Sequence, residues 1–466
     1  MDTERLARTP PDRGKEALAG PGGPSGAVVL GPAEQRALLS RVTWRLMPLL
    51  FLCYIVAYVD RINVGFAKLQ LREVFGVDQA VFGSVYGFGA GLFFIGYFLF
   101  EVPSNLILQR VGARIWIARI MIVWGMVSTA MMFMRSTTVF YAMRFCLGVA
   151  EAGFFPGVIL YLTYWYPAKQ RARTMALFAT GSVIAGIIGS PLSGAILGLD
   201  RAGGLAGWQW LFLLEGIPAM LLGLVVLVVL PNRPQQARWL SDREKAWLHE
   251  QAIQPEAEIH HRLADALADG RVWLLCLLYF LLNVGGYGYE MWLPSIIKGF
   301  SGQSYAVVGW VNAIPYLVAA VVMPLVGRHS DRTGERRWHV AVAAASSAAG
   351  FAMAGHFRNP YIAMASLTLA LVGLKSAMGP FWALGTAFLS GTAAAGGIAL
   401  INSVGNLGGF VGPTLVGVIK DRTGSDTAAL LLLGGALLLM GLLALALRGG
   451  RDRGKRQAGR VKGKAG

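Results

Sequence analysis

Apolar residues along the chain gather into long runs that short polar stretches separate. Apolar runs of about 18 residues or more are typical of transmembrane helices. The short connections between these runs fit helices that cross a bilayer one after another. The pattern therefore predicts an all-α polytopic membrane protein of twelve transmembrane helices. These helices are expected at about 45–67, 81–104, 115–134, 138–162, 174–198, 209–231, 272–296, 306–327, 338–356, 360–385, 392–419 and 426–447.

Polar segments divide the chain into five parts. Residues 1–44 are rich in Pro, Gly and charge, lack the apolar core of a signal peptide, and are expected to form a disordered tail. Two six-helix bundles are expected at 45–231 and 272–447. A polar linker at 232–271 joins them, and a basic tail follows at 448–466.

The composition narrows the class of protein. Of the 466 residues, 55% are hydrophobic and only 14% are charged, and the mean hydropathy is +0.53. Soluble chains carry about 25% charged residues, so disorder, a collagen-like repeat and a soluble multidomain enzyme are all disfavoured. The three cysteines lie in apolar runs without metal or disulfide spacing. No metal and no cofactor are expected.

The formal charge of +17 is distributed unevenly along the chain. If both termini lie on the inner side, 30 of the 42 Lys and Arg residues lie in inner segments, eight in outer loops and four within spans. Positive charge favours the cytoplasmic side, so both termini are expected in the cytoplasm. The basic residues lack interleaved aromatics, so they indicate contact with anionic lipid and not with nucleic acid.

An internal repeat divides the chain into two similar halves. The segment GIIGSPLSG at 186–194 recurs as GFVGPTLVG at 409–417. The loop after the eighth helix carries a Gly-x-x-x-Asp-Arg-x-Gly pattern from 327, and the loop after the second helix, at 110–114, carries a worn copy. Two six-helix halves joined by a long link are typical of parallel-repeat transporters.

Five strings carry a resemblance to a known family. GRHSDRTGERRWH (327–339) is similar to a loop motif of the major facilitator superfamily. The other strings resemble the anion:cation symporter family, near its bacterial tartrate, phthalate and 4-hydroxyphenylacetate permeases. They are YVDRINVGFAKLQL (58–71), RFCLGVAEAGFFPG (144–157), GPFWALG (379–385) and INSVGNLGGFVGP (401–413). The resemblance implies two six-helix bundles around one central cavity.

Charged residues inside spans are costly and are functional candidates by default. On the first helix, Arg61 shares a face with Tyr54 and Tyr58, which places a cation beside two hydroxyl groups and suits a carboxylate substrate. The resemblance implies that Asp60 is a proton-coupling acid and that Arg61 contacts the substrate anion. The alternative is a static salt bridge to another helix.

The fourth helix carries a second candidate pair on one face, Arg144 and Glu151. Burial disfavours the charged carboxylate, so Glu151 could hold a proton at neutral pH and release it when a cavity opens to the cytoplasm. The resemblance assigns protonation to this Glu, with Arg144 modulating it. A permanent Arg144–Glu151 pair is the alternative.

The second half departs from the family pattern at Glu290 and Lys375. These two residues either pair within the membrane or leave Lys375 as a second anchor for a dicarboxylate. Tyr287 lies on the same face as Glu290. Trp382 lies on the same face as Lys375 and either packs or stacks on an aromatic substrate.

Amides on the eleventh helix complete the predicted binding residues. Asn402 and Asn406 share a face, and the resemblance places that face on the cavity. Hydrogen bonding between helices is the alternative. Glu101 and Glu215 lie toward the ends of spans, where structural pairing is expected.

The loop motif of the second half has a mechanical interpretation. An Asp near a helix end can cap a helix or pair with an Arg, and the glycines permit a tight turn. We expect these residues to lock the cytoplasmic side and to separate when the halves rock. The residues are Gly327, Asp331, Arg332, Gly334, Arg336 and Arg337.

The sequence favours a symporter that imports a small organic carboxylate with protons by alternating access. An uncoupled uniporter or exchanger of the same fold is the alternative, and a membrane receptor is a rival from another class. No phosphate loop, metal cluster or activated nucleophile supports an enzyme. We expect a monomer in the inner membrane of a bacterium, with protons and a small organic anion as its partners.

Overall fold

The computed structural model describes residues 30–252, 269–388 and 394–447, and within them regular structure is entirely helical. This confirms the predicted all-α fold class. The expectations for residues 1–29, for 253–268 of the linker and for the tail at 448–466 concern residues outside the described part of the chain.

The first half consists of nine α-helices and is followed by a short linker helix. Three short 3-10 helices, at Met131–Phe133, Ala202–Gly204 and Pro234–Gln236, lie in connections. The α-helices are α1 (Pro32–Ile62), α2 (Val64–Phe75), α3 (Gln79–Val111), α4 (Ala113–Ala130), α5 (Thr137–Glu151), α6 (Phe154–Thr163), α7 (Ala168–Ala179), α8 (Gly181–Leu197), α9 (Gly207–Val229) and α10 (Asp242–Ala252).

The second half consists of seven α-helices in the described part of the chain. Its helices are α11 (Gly270–Ser301), α12 (Tyr305–Thr333), α13 (Arg337–His356), α14 (Pro360–Phe388), α15 (Ala394–Asn406), α16 (Gly408–Thr423) and α17 (Asp426–Ala446).

Eleven helical segments of the described residues are long and apolar enough to cross a membrane. The remaining predicted span is α13, whose 20 residues include many of the less apolar types Ala, Ser and Gly. It packs against α14 and α17. It therefore occupies the place of a span within the second bundle.

The first helix begins at Pro32, although the sequence places the start of the first span at 45. Pro32 is favourable at the first helical position, and the Glu34 carboxylate accepts the Gly31 N–H at 2.7 Å. Leu38 and Val42 are buried in the core. Since this polar segment still carries an apolar stripe, the expectation of disorder is wrong for residues 32–44.

The two halves meet closely at one end of the bundle. We call this the far end; there, helices are connected by residues 76–78, 198–206 and 424–425. The opposite end, where α1 begins, is the near end. At the far end α3 packs on α16 and α8 packs on α12. A Cβ on Gly417 would lie 2.1 Å from the Gly83 oxygen, and one on Gly194 would lie 2.5 Å from the Tyr305 oxygen. Glycine therefore permits this backbone contact.

Candidate functional site

Arg61 lies at the centre of the interface between the halves. Its side chain is buried, Nη2 donates to the Glu151 carboxylate, and Nη1 donates to the Tyr287 hydroxyl at 3.0 Å. The guanidinium carbon lies 5.3 Å from the ring centre of Phe93 and 5.5 Å from that of Tyr97. Arg61 thus joins an acid of the first half to a hydroxyl group of the second.

A break in the fourth span positions Glu151. Helix α5 ends at this residue, and Gly153 then takes φ +85°, a conformation that side chains rarely adopt. A Cβ on Gly153 would also lie 2.4 Å from the Ser104 hydroxyl oxygen. The interruption therefore requires glycine, and it places the carboxyl group of Glu151 at a helix end inside the bundle.

Arg144 does not form the alternative ion pair with Glu151, whose carboxylate pairs with Arg61. Its Nη2 donates to the Ala90 carbonyl at 3.1 Å, and its guanidinium carbon lies 5.0 Å from the Phe93 ring centre. Nε and Nη1 have no hydrogen-bond partner among the described residues, although the side chain is fully buried. This cation keeps unused hydrogen-bonding capacity next to the Arg61 site.

Asp60 lies on a different side of α1, because neighbouring helical positions point about 100° apart. Its carboxylate accepts hydrogen bonds from Trp124 Nε1, from the Ser128 hydroxyl and, at 3.0 Å, from Asn63 Nδ2. No Lys, Arg or His of the described ranges forms an ion pair with it. Asp60 is therefore a buried acid held by neutral donors.

Glu290 and Lys375 form a buried ion pair with 2.7 Å between Oε1 and Nζ. The Tyr58 hydroxyl donates to Glu290 Oε2 at 2.8 Å and accepts from Lys375 Nζ at 3.2 Å. Of the two sequence-based alternatives for Lys375, the structure shows the ion pair with Glu290. Tyr58 was expected beside Arg61, but its hydroxyl bonds Glu290 and Lys375 instead of the Arg61 guanidinium. The pair neutralises Lys375 and ties it to the first half.

Three other predicted binding residues lie in different surroundings. Tyr54 stacks on Phe178 with 4.7 Å between ring centres. Trp382 meets Tyr279 edge to face at 5.0 Å. Asn406 is the buried last residue of α15.

Asn402 is engaged elsewhere, in a contact that sequence reasoning missed. Its Nδ2 donates to one oxygen of the Glu101 carboxyl group, and the Ser403 hydroxyl donates to the other oxygen at 2.9 Å. Glu101 was expected to make a structural pair. Its partners lie on the opposite half, 301 and 302 residues away, and local sequence spacing cannot indicate such distant partners.

The loop motif joins helices of the second half to one another. Asp331 pairs with Arg336 at 2.7 Å, and Gly334, with φ +66°, ends α12. Arg337 Nη1 donates to the Leu447 carbonyl at the end of α17, at 2.7 Å. These contacts fix the loop between α12 and α13.

The expected lock between the halves at this loop is not formed among the described residues. A Cβ on Gly327 would meet nothing within 4 Å, and Arg332 is exposed. In this conformation the motif makes contacts within the second half, and its gating role stays a prediction.

The far end holds a lock that the sequence did not predict. Asp421 of α16 accepts from the Gly83 N–H at 2.8 Å, and from the Ser84 N–H and hydroxyl at 2.6 Å each. It therefore joins the second turn of α3 to the opposite half. Nearby, Lys68 Nζ lies 3.0 Å from the ring centre of Trp292 across the same interface. The conformation is closed at the far end.

Comparisons with known proteins agree with this architecture. The family model described as Major Facilitator Superfamily matches residues 50–413 and, in a second alignment, 301–464. A protein of Agrobacterium vitis named "Putative tartrate transporter" is 50% identical over 425 residues, which is 90% of this chain and 93% of the relative. A "Quinolone resistance transporter" of Acinetobacter baumannii is 43% identical over 413 residues, 88% of this chain and 94% of the relative.

Among solved structures, the partially occluded inward-open form of the Escherichia coli xylose transporter XylE is similar with a TM-score of 0.69. The similarity covers 87% of this chain and 98% of that chain at 15% sequence identity. At this identity the likeness concerns the fold alone.

Proposed function

We propose that this chain, which belongs to the Major Facilitator Superfamily, carries a small organic carboxylate together with protons by alternating access. The coarser statement follows from its family: it is a multi-pass membrane transporter of small organic substrates and not an enzyme. The carboxylate and the protons are our proposal, and the contacts of Arg61 are the observation that carries it.

Glu151 and a substrate carboxylate compete for the same cation. Arg61 binds Glu151 in the present conformation, and an anion that takes over these donors leaves Glu151 without its counterion. A buried carboxyl group without a counterion favours the neutral form. Substrate binding and protonation of Glu151 therefore strengthen each other by the same factor, which is the coupling that a symporter requires.

The charges around Arg61 favour a dicarboxylate. The first half places two cations, Arg61 and Arg144, beside two acids, Asp60 and Glu151. When both acids are protonated, two positive charges remain and match a dianion. The name of the Agrobacterium vitis relative supports tartrate as the first substrate to test.

The proposed orientation places the near end in the cytoplasm. The excess of Lys and Arg in the segments of that end supports this orientation, with both termini inside and the chain in the inner membrane of a bacterium. The closed far end then faces outward. One chain supplies Arg61 and its partners Glu151 and Tyr287, so we expect the monomer to transport.

Uptake into liposomes by the purified protein tests the proposal. Labelled tartrate, phthalate, 4-hydroxyphenylacetate, a sugar acid and a quinolone are offered with and without an inward proton gradient. We expect one carboxylate to accumulate above equilibrium and to leave again when a protonophore is added. Equilibration without accumulation would instead identify an uncoupled uniporter or exchanger and return Asp60 and Glu151 to structural roles.

A further inference from the structure

Glu101 is a buried acid that joins the halves on the near-end side of Arg61. It follows Tyr97, which contacts Arg61, by about one helical turn along α3 in the direction of the near end. Only 3% of its surface is exposed. Both of its carboxyl oxygens accept hydrogen bonds from α15 of the opposite half, from Asn402 and from Ser403.

No basic side chain in the described part of the chain forms an ion pair with Glu101. The groups that act on it electrostatically are Arg61 of α1, Tyr97 of its own helix and Tyr279 of α11. An ionised carboxylate is costly in a dry interface without a counterion, whereas a neutral carboxyl group with two hydrogen-bond partners is well tolerated. The contact between α3 and α15 therefore favours the protonated acid.

We propose that Glu101 is a protonation-controlled latch that holds the near end shut. While α3 and α15 meet, the carboxyl group keeps its proton and bonds Asn402 and Ser403. When the helices separate, water reaches Glu101, the proton passes from the carboxyl oxygen to that water, and the hydrated carboxylate resists closing again. This positioning role rests on the alternating access of the proposed function and adds a gate whose state depends on pH.

Glu215 supplies a matched control within the same half. It is also a buried carboxyl group, and it accepts a hydrogen bond from Ser193 at 2.7 Å. Both residues lie in the first half, so their bond does not change when the halves separate. Gln in place of either acid keeps the side-chain shape and mimics the neutral form.

A distance measurement tests the latch without any substrate. Spin labels are attached through Arg110→Cys and Arg328→Cys, two exposed near-end positions on opposite halves, in the full chain with Cys53, Cys146 and Cys276 changed to Ala. We expect the label distance to increase between about pH 5 and about pH 8, a range above the usual pKa of Glu. Glu101→Gln should lose most of this increase, and Glu215→Gln should retain it.

A pH response of the label distance that is absent from the parent, or equal in the parent and Glu101→Gln, would overturn the latch.

Tartrate transport in liposomes tests the proposed function separately from the latch. Glu101→Gln should slow both the exchange of internal for external tartrate at equal pH and proton-driven accumulation, because both need the near end to open. If the parent transports no tartrate but shows the Glu101-dependent pH response, only the proposed substrate fails. If Glu101→Gln accumulates tartrate as the parent does, only the latch fails.

Discussion

At the scale of the residue, the planar guanidinium of Arg61 serves two partners that belong to different halves. It donates to Glu151 and Tyr287 in separate directions while its faces lie near aromatic rings. A lysine would keep the charge but would offer one compact ammonium group in place of the planar fork. The shape of this group, and not only its charge, is therefore expected to matter for binding an anion.

Arg61→Lys should weaken tartrate binding by more than about tenfold, because a charge-assisted bidentate contact is lost. Binding of labelled tartrate to the purified protein measures the effect. Arg119→Lys is the control, since Arg119 also lies in a span but packs on Trp116 of its own helix. The Arg119→Lys protein should bind tartrate as the parent does. Equal affinities for the parent and Arg61→Lys would remove Arg61 from the substrate site.

The buried pair of the second half predicts non-additive stability. Glu290→Gln strands the Lys375 charge and should lower the stability by about 3–5 kcal/mol. Glu290→Gln combined with Lys375→Met removes both charges and should restore most of that loss. Thermal unfolding of the purified single and double variants gives the comparison. Additive losses in the double variant would mean that the two side chains do not depend on each other.

The residue types of the site could be predicted from the sequence, but their pairing could not. Helical spacing places Arg144 and Glu151 on one face, yet α5 ends at Glu151 and turns its carboxyl group to Arg61. Both residues lie within one continuous helix, and spacing along that helix carries no information about a partner on another span. The pairing of Glu290 with Lys375 was one of two open alternatives for the same reason, because it joins residues of different spans.

At the scale of the element, a break in one span lies beside Arg61. The fourth span breaks after Glu151, at Gly153, whereas the backbone stays helical from α1 through Asn63 into α2. Interrupted helices place free backbone groups and polar side chains inside a membrane protein, where they can serve a binding site. The apolar pattern predicts the spans well because burial in lipid determines it, but it is insensitive to a one-residue break within a span.

Gly153→Ala tests whether the break positions Glu151. Alanine at φ +85° costs about 1–2 kcal/mol, and its Cβ would also collide with Ser104. We expect a lower unfolding temperature and weaker tartrate binding. Gly286→Ala is the control, because a Cβ there meets nothing within 4 Å and the position lies in a regular helix. A Gly153→Ala protein as stable and active as the parent would show that the break is not required.

The hydrogen bonds of Asp421 to α3 predict a change in far-end access. Asp421→Ala removes three hydrogen bonds between the halves and should shift the population toward a conformation that is open at the far end. In the cysteine-free background, Met291→Cys reports this opening, because Met291 is fully buried beside the interface.

Maleimide should label Met291→Cys faster when Asp421→Ala is present. Asp426→Ala is the matched control, since Asp426 pairs with Lys420 inside the second half, and it should leave the labelling rate unchanged. If both variants label at the parent rate, Asp421 does not hold the far end shut.

At the scale of the whole molecule, the two halves are joined by polar contacts at three levels. Asp421 closes the far end, Arg61 and Tyr58 join the halves at the centre, and Glu101 joins them toward the near end. The sequence predicts the two halves from its repeat and its helix count. It does not predict which residues meet between them, because these partners lie more than 200 residues apart and local spacing carries no information about them.

Substrate and a proton are proposed to bind together because the anion displaces Glu151 from Arg61. Calorimetric titration of tartrate into the purified protein, in buffers of different ionisation enthalpy, measures the number of protons taken up on binding. We expect net proton uptake by the parent and about one proton fewer for Glu151→Gln. Tartrate binding without proton uptake, or with the same uptake in Glu151→Gln, would contradict it.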